Sequence, residues 1–306
     1  MEIKNKIKII THNGSFHADE IFTCATLSIF FEQEGKEFDI LRTRDETAIK
    51  SGFNNQDIFL VDVGWINNPD KNLFDHHQIE GAGERQNGIP FASFGLVWKK
   101  FGERVCGSKE ISDELDKKLV QSIDAFDSGI KLSEDIKKDV HSYDLGNLID
   151  AFLPSWKEDR NIQDGTFLKI VEVAKILIQR EISKTKDNFE GEKFVEEIYK
   201  NTEDKRIIVL DKGYPRDPVL SKHKEPLFVV FPKDADNKWQ ILTIRDDSNS
   251  FVNRKDLPKS WGGLTGEELA QVSGVPDALF CHKNLFIATA NSKEGAIKLA
   301  QIALES

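Results

Sequence analysis

Residues 57–64 read DIFLVDVG, and the choice of fold turns on them. Ile58, Phe59, Leu60, Val61 and Val63 are apolar without alternation, so an extended chain here would bury both faces. Such a two-sided run suits a central strand of a parallel sheet. One residue interrupts it. Asp62 is an aspartate that would be costly to bury without a partner. The stretch therefore predicts a parallel α/β architecture, and it asks what neutralises Asp62.

Working outward, the segments on either side fit that architecture. IKIIT (7–11) and FDILRTR (38–44) read as strands. Between them, residues 18–33 read as a helix, with Ile21, Phe22, Ala25, Ile29 and Phe30 spaced for one apolar face. Residues 93–105 and 113–126 have helical patterns. This rhythm points to an α/β domain with a mainly parallel sheet. Residues 133–204 contain no strand pattern, and 167–184 form a strong helix through Ile170, Val173, Ile176, Leu177 and Ile178. From 206 the period changes back: RIIVLD, LFVVFP, WQILTIR, DALFCH and LFIATA read as strands. Two helices accompany them, at 265–274 and 292–305. Thr265 with Glu268 suggests a capping box, and Ser292 with Glu294 a weaker start. The expected division is an N-terminal α/β domain over 1–132, a helical connector over 133–205, and a smaller C-terminal α/β domain over 206–306.

Bulk properties set limits on function. A chain of 306 residues is long enough for about two domains. Its 39% apolar and 31% charged residues are those of an ordinary globular protein. A net charge of -10 argues against a broad duplex-binding surface, which needs many cations facing phosphates. A short phosphate-bearing substrate held by metal ions remains compatible with it. Cys24, Cys106 and Cys281 are scattered and odd in number, with no CxxC, so neither a disulfide partner nor a thiolate zinc site is expected. No leader pattern and no apolar run of about 18 residues is present, so we expect a cytoplasmic protein with no membrane partner.

The chemistry concentrates near the predicted strand ends. Four of the seven histidines lie before position 78, each within a few residues of an aspartate, in SFHADE (15–20), FDHHQ (74–78) and at His12. His12 follows the first strand, His17 and Asp19 lie at the start of the next helix, and Asp62 ends the central strand. Asp75, His76 and His77 follow the short NLF run, and Asp127 follows a helix ending near Phe126. Ligands in α/β sheets bind just beyond the carboxyl ends of strands, where these residues fall. Singly, each has an ordinary explanation: His12 packed or capping, Asp19 capping its helix, DHHQ a polar turn. Jointly, imidazole and carboxylate without thiolate suit manganese, magnesium, iron or zinc. So many carboxylates would repel one another unless cations neutralised them. Two divalent ions about 3.5–4 Å apart would do so and would favour phosphoryl hydrolysis.

FDHHQ preceded by VDVG and a histidine-rich first loop resembles the DHH phosphoesterase superfamily. THNGSFHADE, RTRD, VDVG, FDHHQ, GLVWKKFG, DAFDSGI and RKDLPKSWGGLTGEELAQVSGVPDALFCH together resemble, more narrowly, the melanocyte-proliferating-gene family of metal-dependent hydrolases. The resemblance implies a metal site in the N-terminal domain and a smaller C-terminal domain closing over it. It implies two divalent ions of manganese type, with magnesium or cobalt as substitutes. His12, His17 and Asp62 would hold one, and Asp19, Asp62, His76 and Asp127 the other. His77 would contact the scissile phosphate, and Asp75 would orient its neighbours. Asp124, in the last helical turn, competes with Asp127; the DSG turn favours Asp127. The chain departs from the family at Trp65, where a second glycine is common, at Ser128, where asparagine is common, and at LFIATA (285–290), which replaces a glycine-rich segment.

In the C-terminal domain Arg254, Lys255 and His282 are candidates for gripping a substrate phosphate or carboxylate. SWGGL (260–264) is expected to shape a cleft, with Trp261 packed in a core. The expected activity is metal-dependent phosphodiester hydrolysis by a two-metal-activated water, and the family resemblance implies an exonuclease on short RNA or oligonucleotide ends. Hydrolysis of a small phosphate compound, such as pyrophosphate or a cyclic dinucleotide, is the alternative within the enzyme class. A metal-binding regulator without turnover is the alternative outside it. The oligomeric state stays open, a homodimer included.

Overall fold

The computed structural model describes residues 6–134, 137, 139–233, 237–247 and 252–306. The chain divides into two compact units, residues 1–185 and 186–306.

The first unit is built on a five-stranded sheet of order β2-β1-β3-β5-β4. Its strands are β1 (Ile7–Thr11), β2 (Phe38–Arg42), β3 (Ile58–Val61), β4 (Asn67–Asn68) and β5 (Leu73–Phe74). All neighbours pair parallel except the short edge strand β4. The two-sided apolar run does lie centrally: β3 sits between β1 and β5, and all four of its residues are buried. The strand stops at Val61, earlier than the apolar pattern suggests. Asp62 turns to φ 55°, followed by Gly64 at 99° and Trp65 at 58°, so the chain bends out of the sheet. For a non-glycine residue that left-handed region is uncommon and marks a turn under constraint.

Five helices follow the strands up to residue 127: α1 (Ala18–Gln33), α2 (Glu46–Gly52), α3 (Ser93–Cys106), α4 (Lys109–Leu115) and α5 (Gln121–Asp127). The sequence predicts one apolar face for α1, but every residue from Ala18 to Phe31 is buried. The helix is covered by the sheet, through Phe31 on Phe59 at 4.9 Å, and by α3, through Phe22 on Phe94 at 5.6 Å. The hydroxyls of Thr23, Thr26 and Ser28 escape desolvation by donating to carbonyls one turn back, at 2.7–2.8 Å. Helix α2 is not announced by apolar periodicity. Its start is fixed by Asp45, whose carboxylate accepts from the Ala48 amide at 2.8 Å. Its end closes on β3 at Gly52, where a Cβ would lie 2.8 Å from Leu60. The helix predicted over 113–126 begins earlier, at Lys109, and is widened by a π turn over Asp116–Val120 just ahead of Asp124 and Asp127.

Helices α6 (Leu145–Asp150) and α7 (Gln163–Asn201) come next, and the division between the units falls within α7. Among the described residues of 133–205 there is no strand.

The second unit carries the sheet β6-β7-β8-β10-β9. Its strands are β6 (Ile207–Val209), β7 (Phe228–Lys233), β8 (Lys238–Thr243), β9 (Ala278–Cys281) and β10 (Ile287–Ala290). Only β6 and β7 pair parallel. Helices α8 (Asp217–Leu220), α9 (Gly266–Ser273) and α10 (Lys293–Glu305) complete it. Ala296, Leu299, Ala300 and Ala303 of α10 share one core with Phe228, Val230, Ile241 and Trp261. The capping box expected at Thr265 does not form, because its side chain makes no cap bond. Gly266 opens the helix at φ 51°, outside the helical range, and Thr265 is held by a backbone bridge to Phe280. Ser292 caps α10, accepting from the Gly295 amide at 3.0 Å. Cys24, Cys106 and Cys281 are free, and among the described residues no helix is long and apolar enough to cross a membrane.

Candidate metal centre

Three neighbouring parallel strands deliver the site. His12 follows β1, Asp62 follows β3, and Asp75, His76 and His77 follow β5. The His12 Nε2 lies 3.2 Å from Asp62 Oδ2 and 3.1 Å from Glu20 Oε1. Asp62 Oδ1 is also 3.5 Å from His76 Nδ1 and 3.4 Å from His77 Nδ1. One carboxylate is thus approached by three imidazoles from two other strand ends. His76 turns its Nε2 to Asp127 Oδ2, 2.9 Å away, and stacks on His77 with ring centres 4.3 Å apart.

His17 is the residue before α1, exposed, with its ring centre 6.2 Å from that of His12. Its amide donates to Glu20 Oε1 at 2.9 Å. Asp19 is buried in the first turn of α1, yet it caps α3 rather than its own helix. Its carboxylate accepts from the amides of Phe94 at 2.6 Å and Ser93 at 3.2 Å. Asp75 is buried too, and holds the site from behind. It accepts from the His77 ring at 2.8 Å, the His77 amide at 3.0 Å and the Trp65 amide at 2.6 Å.

The two competing aspartates face different surroundings. Asp124 is fully buried; it accepts from Arg85 at 2.7 Å and from the Gly95 amide at 3.0 Å. Gly95 has to be glycine, because a Cβ there would sit 2.0 Å from Asp124 Oδ2. Asp127 lines the open pocket and meets His76.

The protonation pattern reflects crowded carboxylates. Burial works against a charged His12, but hydrogen bonds to Asp62 and Glu20 outweigh it and push the imidazole up to about 10. Burial also opposes His76, whose bond to Asp127 nonetheless raises it. For His77 the bond to Asp75 is the largest cause of a rise. Burial would raise Asp62, and the surrounding histidines hold it below the usual carboxylate range instead. Asp19, desolvated and facing Asp62, Asp127 and Asp124, is driven well above that range. Protons on the histidines here offset the negative charge that bound cations would offset.

The donor set fits divalent ions. Three groups, two of which share His76, bring one ligand atom from each member within 4.8 Å of the others: Asp62, Asp75, His76 and His77; His12, His17 and Glu20; and Asp19, His76 and Asp127. All are imidazole or carboxylate, a mixture without thiolate that suits manganese, iron or zinc. Glu20 Oε2 is buried with no hydrogen-bond partner, an orphaned acceptor that a cation would satisfy. Glu20 is absent from the ligands read out of the sequence. Its signal was its place three residues after His17, from which a glutamate reaches back toward a helix start. The groups open on a cavity of about 1200 Å³ lined also by Arg44, Ile49, Lys50, Phe53 and Trp65.

The candidates of the second unit are engaged differently. The Arg254 guanidinium donates to the carbonyls of His223 at 2.6 Å, Pro226 at 3.0 Å and Ser221 at 3.0 Å, and to Asp246 at 2.7 Å. Lys255 donates to the Leu304 and Ser306 carbonyls at the end of α10. His282 accepts from the Asn284 amide at 3.1 Å and packs on Phe286 at 4.6 Å. Trp261 is 1% exposed within the core of its unit.

A protein-family model, MYG1_exonuc, described as Uncharacterised protein family (UPF0160), matches residues 8–304. A MYG1 protein of Dictyostelium discoideum is 30% identical over 323 residues, covering 96% of this chain and 95% of that one. A MYG1 exonuclease of Mus musculus is 29% identical over 333 residues, covering 97% of this chain and 84% of that one. Among solved structures, an exopolyphosphatase-related protein from Bacteroides fragilis covers 98% of this chain and 92% of that one at 14% identity, with a TM-score of 0.25, too low to bear on the fold.

Proposed function

The chain belongs to the uncharacterised protein family UPF0160, MYG1_exonuc, and from that premise we propose that it is a metal-dependent phosphodiesterase, an exonuclease acting on the ends of short RNA or other oligonucleotides. The observation that supports this most is the meeting of His12, His76 and His77 on the single carboxylate of Asp62. The relatives named exonuclease favour a nucleic-acid substrate over pyrophosphate or a cyclic dinucleotide. We further place the family in the DHH phosphoesterase superfamily, on VDVG and FDHHQ.

In this reading His12, His17 and Asp62 would hold one divalent ion, and Asp19, Asp62, His76 and Asp127 would hold the other, with manganese as the working metal. Bound ions would supply an acidified water as nucleophile and offset charge growing on the phosphoryl oxygens. The protein's own groups do the rest. Glu20 and Asp75 fix the orientations of His12 and His77 through the 3.1 Å and 2.8 Å contacts. His77 turns its Nδ1 to Asp75 and lines the cavity, which leaves its Nε2 to meet a phosphoryl oxygen. Residues 1–132 are the catalytic domain, 133–205 a connector, and 206–306 a substrate-binding domain. Of the substrate contacts in that domain, Arg254 and Lys255 would have to exchange carbonyl partners for substrate, whereas His282 would not give up a donated bond. A cytoplasmic location completes the proposal.

The test is release of mononucleotides from a short end-labelled RNA with manganese, before and after chelation. Asp62→Asn should lower turnover by at least about a hundredfold, since it removes the carboxylate on which three imidazoles converge. No turnover with manganese, magnesium or cobalt would defeat the enzyme reading. Full activity in Asp62→Asn would defeat this site.

A further inference from the structure

Trp65 is 70% exposed, yet it is not a stray surface residue. It lines the same cavity as the histidines and carboxylates, with its ring centre 5.7 Å from that of His77. Its backbone stands at φ 58°, a conformation that a bulky side chain adopts at a cost. Its amide is anchored 2.6 Å from Asp75 Oδ2, the same carboxylate that holds the His77 ring. Indole and imidazole are therefore set by one buried group. Beside Trp65, a Cβ on Gly64 would meet Phe53 at 3.3 Å and Ile49 at 3.5 Å, so the glycine lets these residues close up to the turn. Ile49, Phe53 and Trp65 give the cavity an apolar portion, while Arg44 and Lys50 bring cationic charge.

A phosphate alone has no use for an indole face. A cavity of about 1200 Å³ also exceeds the roughly 300–1,000 Å³ typical of small-molecule sites. A nucleotide has both parts, an anionic group for the metal end and a flat π surface for the apolar end. Resting on the exonuclease reading above, we infer that Trp65 is the stacking platform for the base of the single-stranded nucleotide whose phosphate meets His77. Stacking of this kind is tolerant of sequence, because every base has a π face, so the site selects unpaired nucleotides without selecting among bases. It also selects against inorganic phosphates and against duplex ends, whose bases are already stacked.

The test compares adenosine 5′-monophosphate with ribose 5-phosphate, which carries the same phosphate and sugar without a base. Affinities for the full-length protein are measured calorimetrically, with manganese and again with a chelator. Wild type should bind the nucleotide about five- to a hundredfold tighter than the sugar phosphate, the range that one stacked base contributes. Trp65→Ala should bring the two within about twofold, and Trp65→Phe should keep most of the preference. Trp65→Gly serves as a second variant, because glycine accepts the positive φ and cannot lose folding through strain. An unchanged preference in Trp65→Ala and Trp65→Gly overturns the platform, as does a wild type that shows no preference with manganese bound. On a short single-stranded RNA, the alanine variant should raise KM by the same factor and leave kcat within about twofold. If the base preference depends on Trp65 but no nucleic acid is hydrolysed, the exonuclease reading fails while the platform stands.

Discussion

At the scale of single residues, the candidate site contains groups that hold the fold and groups proposed to hold ions. Asp124 and Asp127 sit three positions apart in different surroundings, one bonded to Arg85 and the Gly95 amide, the other facing the cavity. Removing Asp124 strands the Arg85 guanidinium, 9% exposed, with Asp116 as its remaining carboxylate. Asp124→Ala should therefore destabilise the protein by about 3 kcal/mol in urea unfolding, the cost of breaking a buried pair from one side. Asp127→Ala should cost less in unfolding, about 1 kcal/mol, because it loses the single 2.9 Å contact with His76. It should weaken manganese binding by at least about tenfold in a calorimetric titration. Equal destabilisation by the two would mean that Asp127 is structural as well. His12 carries a second prediction, for the metal-free protein. Its folded value of about 10 stands above the unfolded 6.5, so the native state binds the additional proton between those values. The stability this contributes is fully present below pH 6.5 and disappears as the pH rises through about 10. Unfolding midpoints in chelator should fall over that window, and His12→Gln should flatten the fall. A midpoint that rises with pH over the window in wild type, and not in the variant, would refute the assignment.

At the scale of elements, two helix starts that look alike in sequence should behave differently. Ser292 accepts from the Gly295 amide, whereas the Thr265 side chain caps nothing. Ser292→Ala should cost about 1 kcal/mol in thermal or urea unfolding, and Thr265→Ala no measurable amount through capping. The sequence favoured the wrong one because a capping box is a spacing rule, and Gly266 at φ 51° moves the backbone off the course that the rule assumes. The same distinction explains what else could be read. The central position of β3 was legible, because burial on both faces leaves an unbroken apolar run. Its end was not, because Asp62 leaves the sheet through a backbone turn that composition does not encode. The meeting of His12, Asp62 and His76 was legible because each follows a strand, and parallel strands align their ends. Glu20 was hidden because its contact with His12 depends on how the loop from β1 enters α1. The carbonyl cage around Arg254 comes from residues about thirty positions away, and no local pattern announces it.

At the scale of the whole molecule, charge constrains how a polyanionic substrate can be held. The chain has 52 acidic and 42 basic residues, a net charge of -10. Proteins that track many phosphates lose binding steeply with salt, about 10³–10⁵ between roughly 50 and 200 mM for six to ten contacts. Among the described residues the cavity is lined by two permanently cationic side chains, Arg44 and Lys50, and Lys50 already pairs with Glu46 at 2.7 Å. With a slope of about −0.7 per phosphate for single strands, two contacts give a loss of less than about tenfold over that range. Repulsion between an acidic protein and an anionic strand acts in the opposite sense, because salt screens it, and flattens the dependence further. The exonuclease reading therefore predicts that kcat/KM for a dinucleotide and for a strand of about twenty nucleotides will show the same shallow salt slope, since only the terminal nucleotides are gripped. Measured at constant manganese, coincident slopes would support recognition confined to the chain end. A steep slope for the longer strand alone would require a basic track outside the cavity, and the substrate would then have to be a long chain rather than its end.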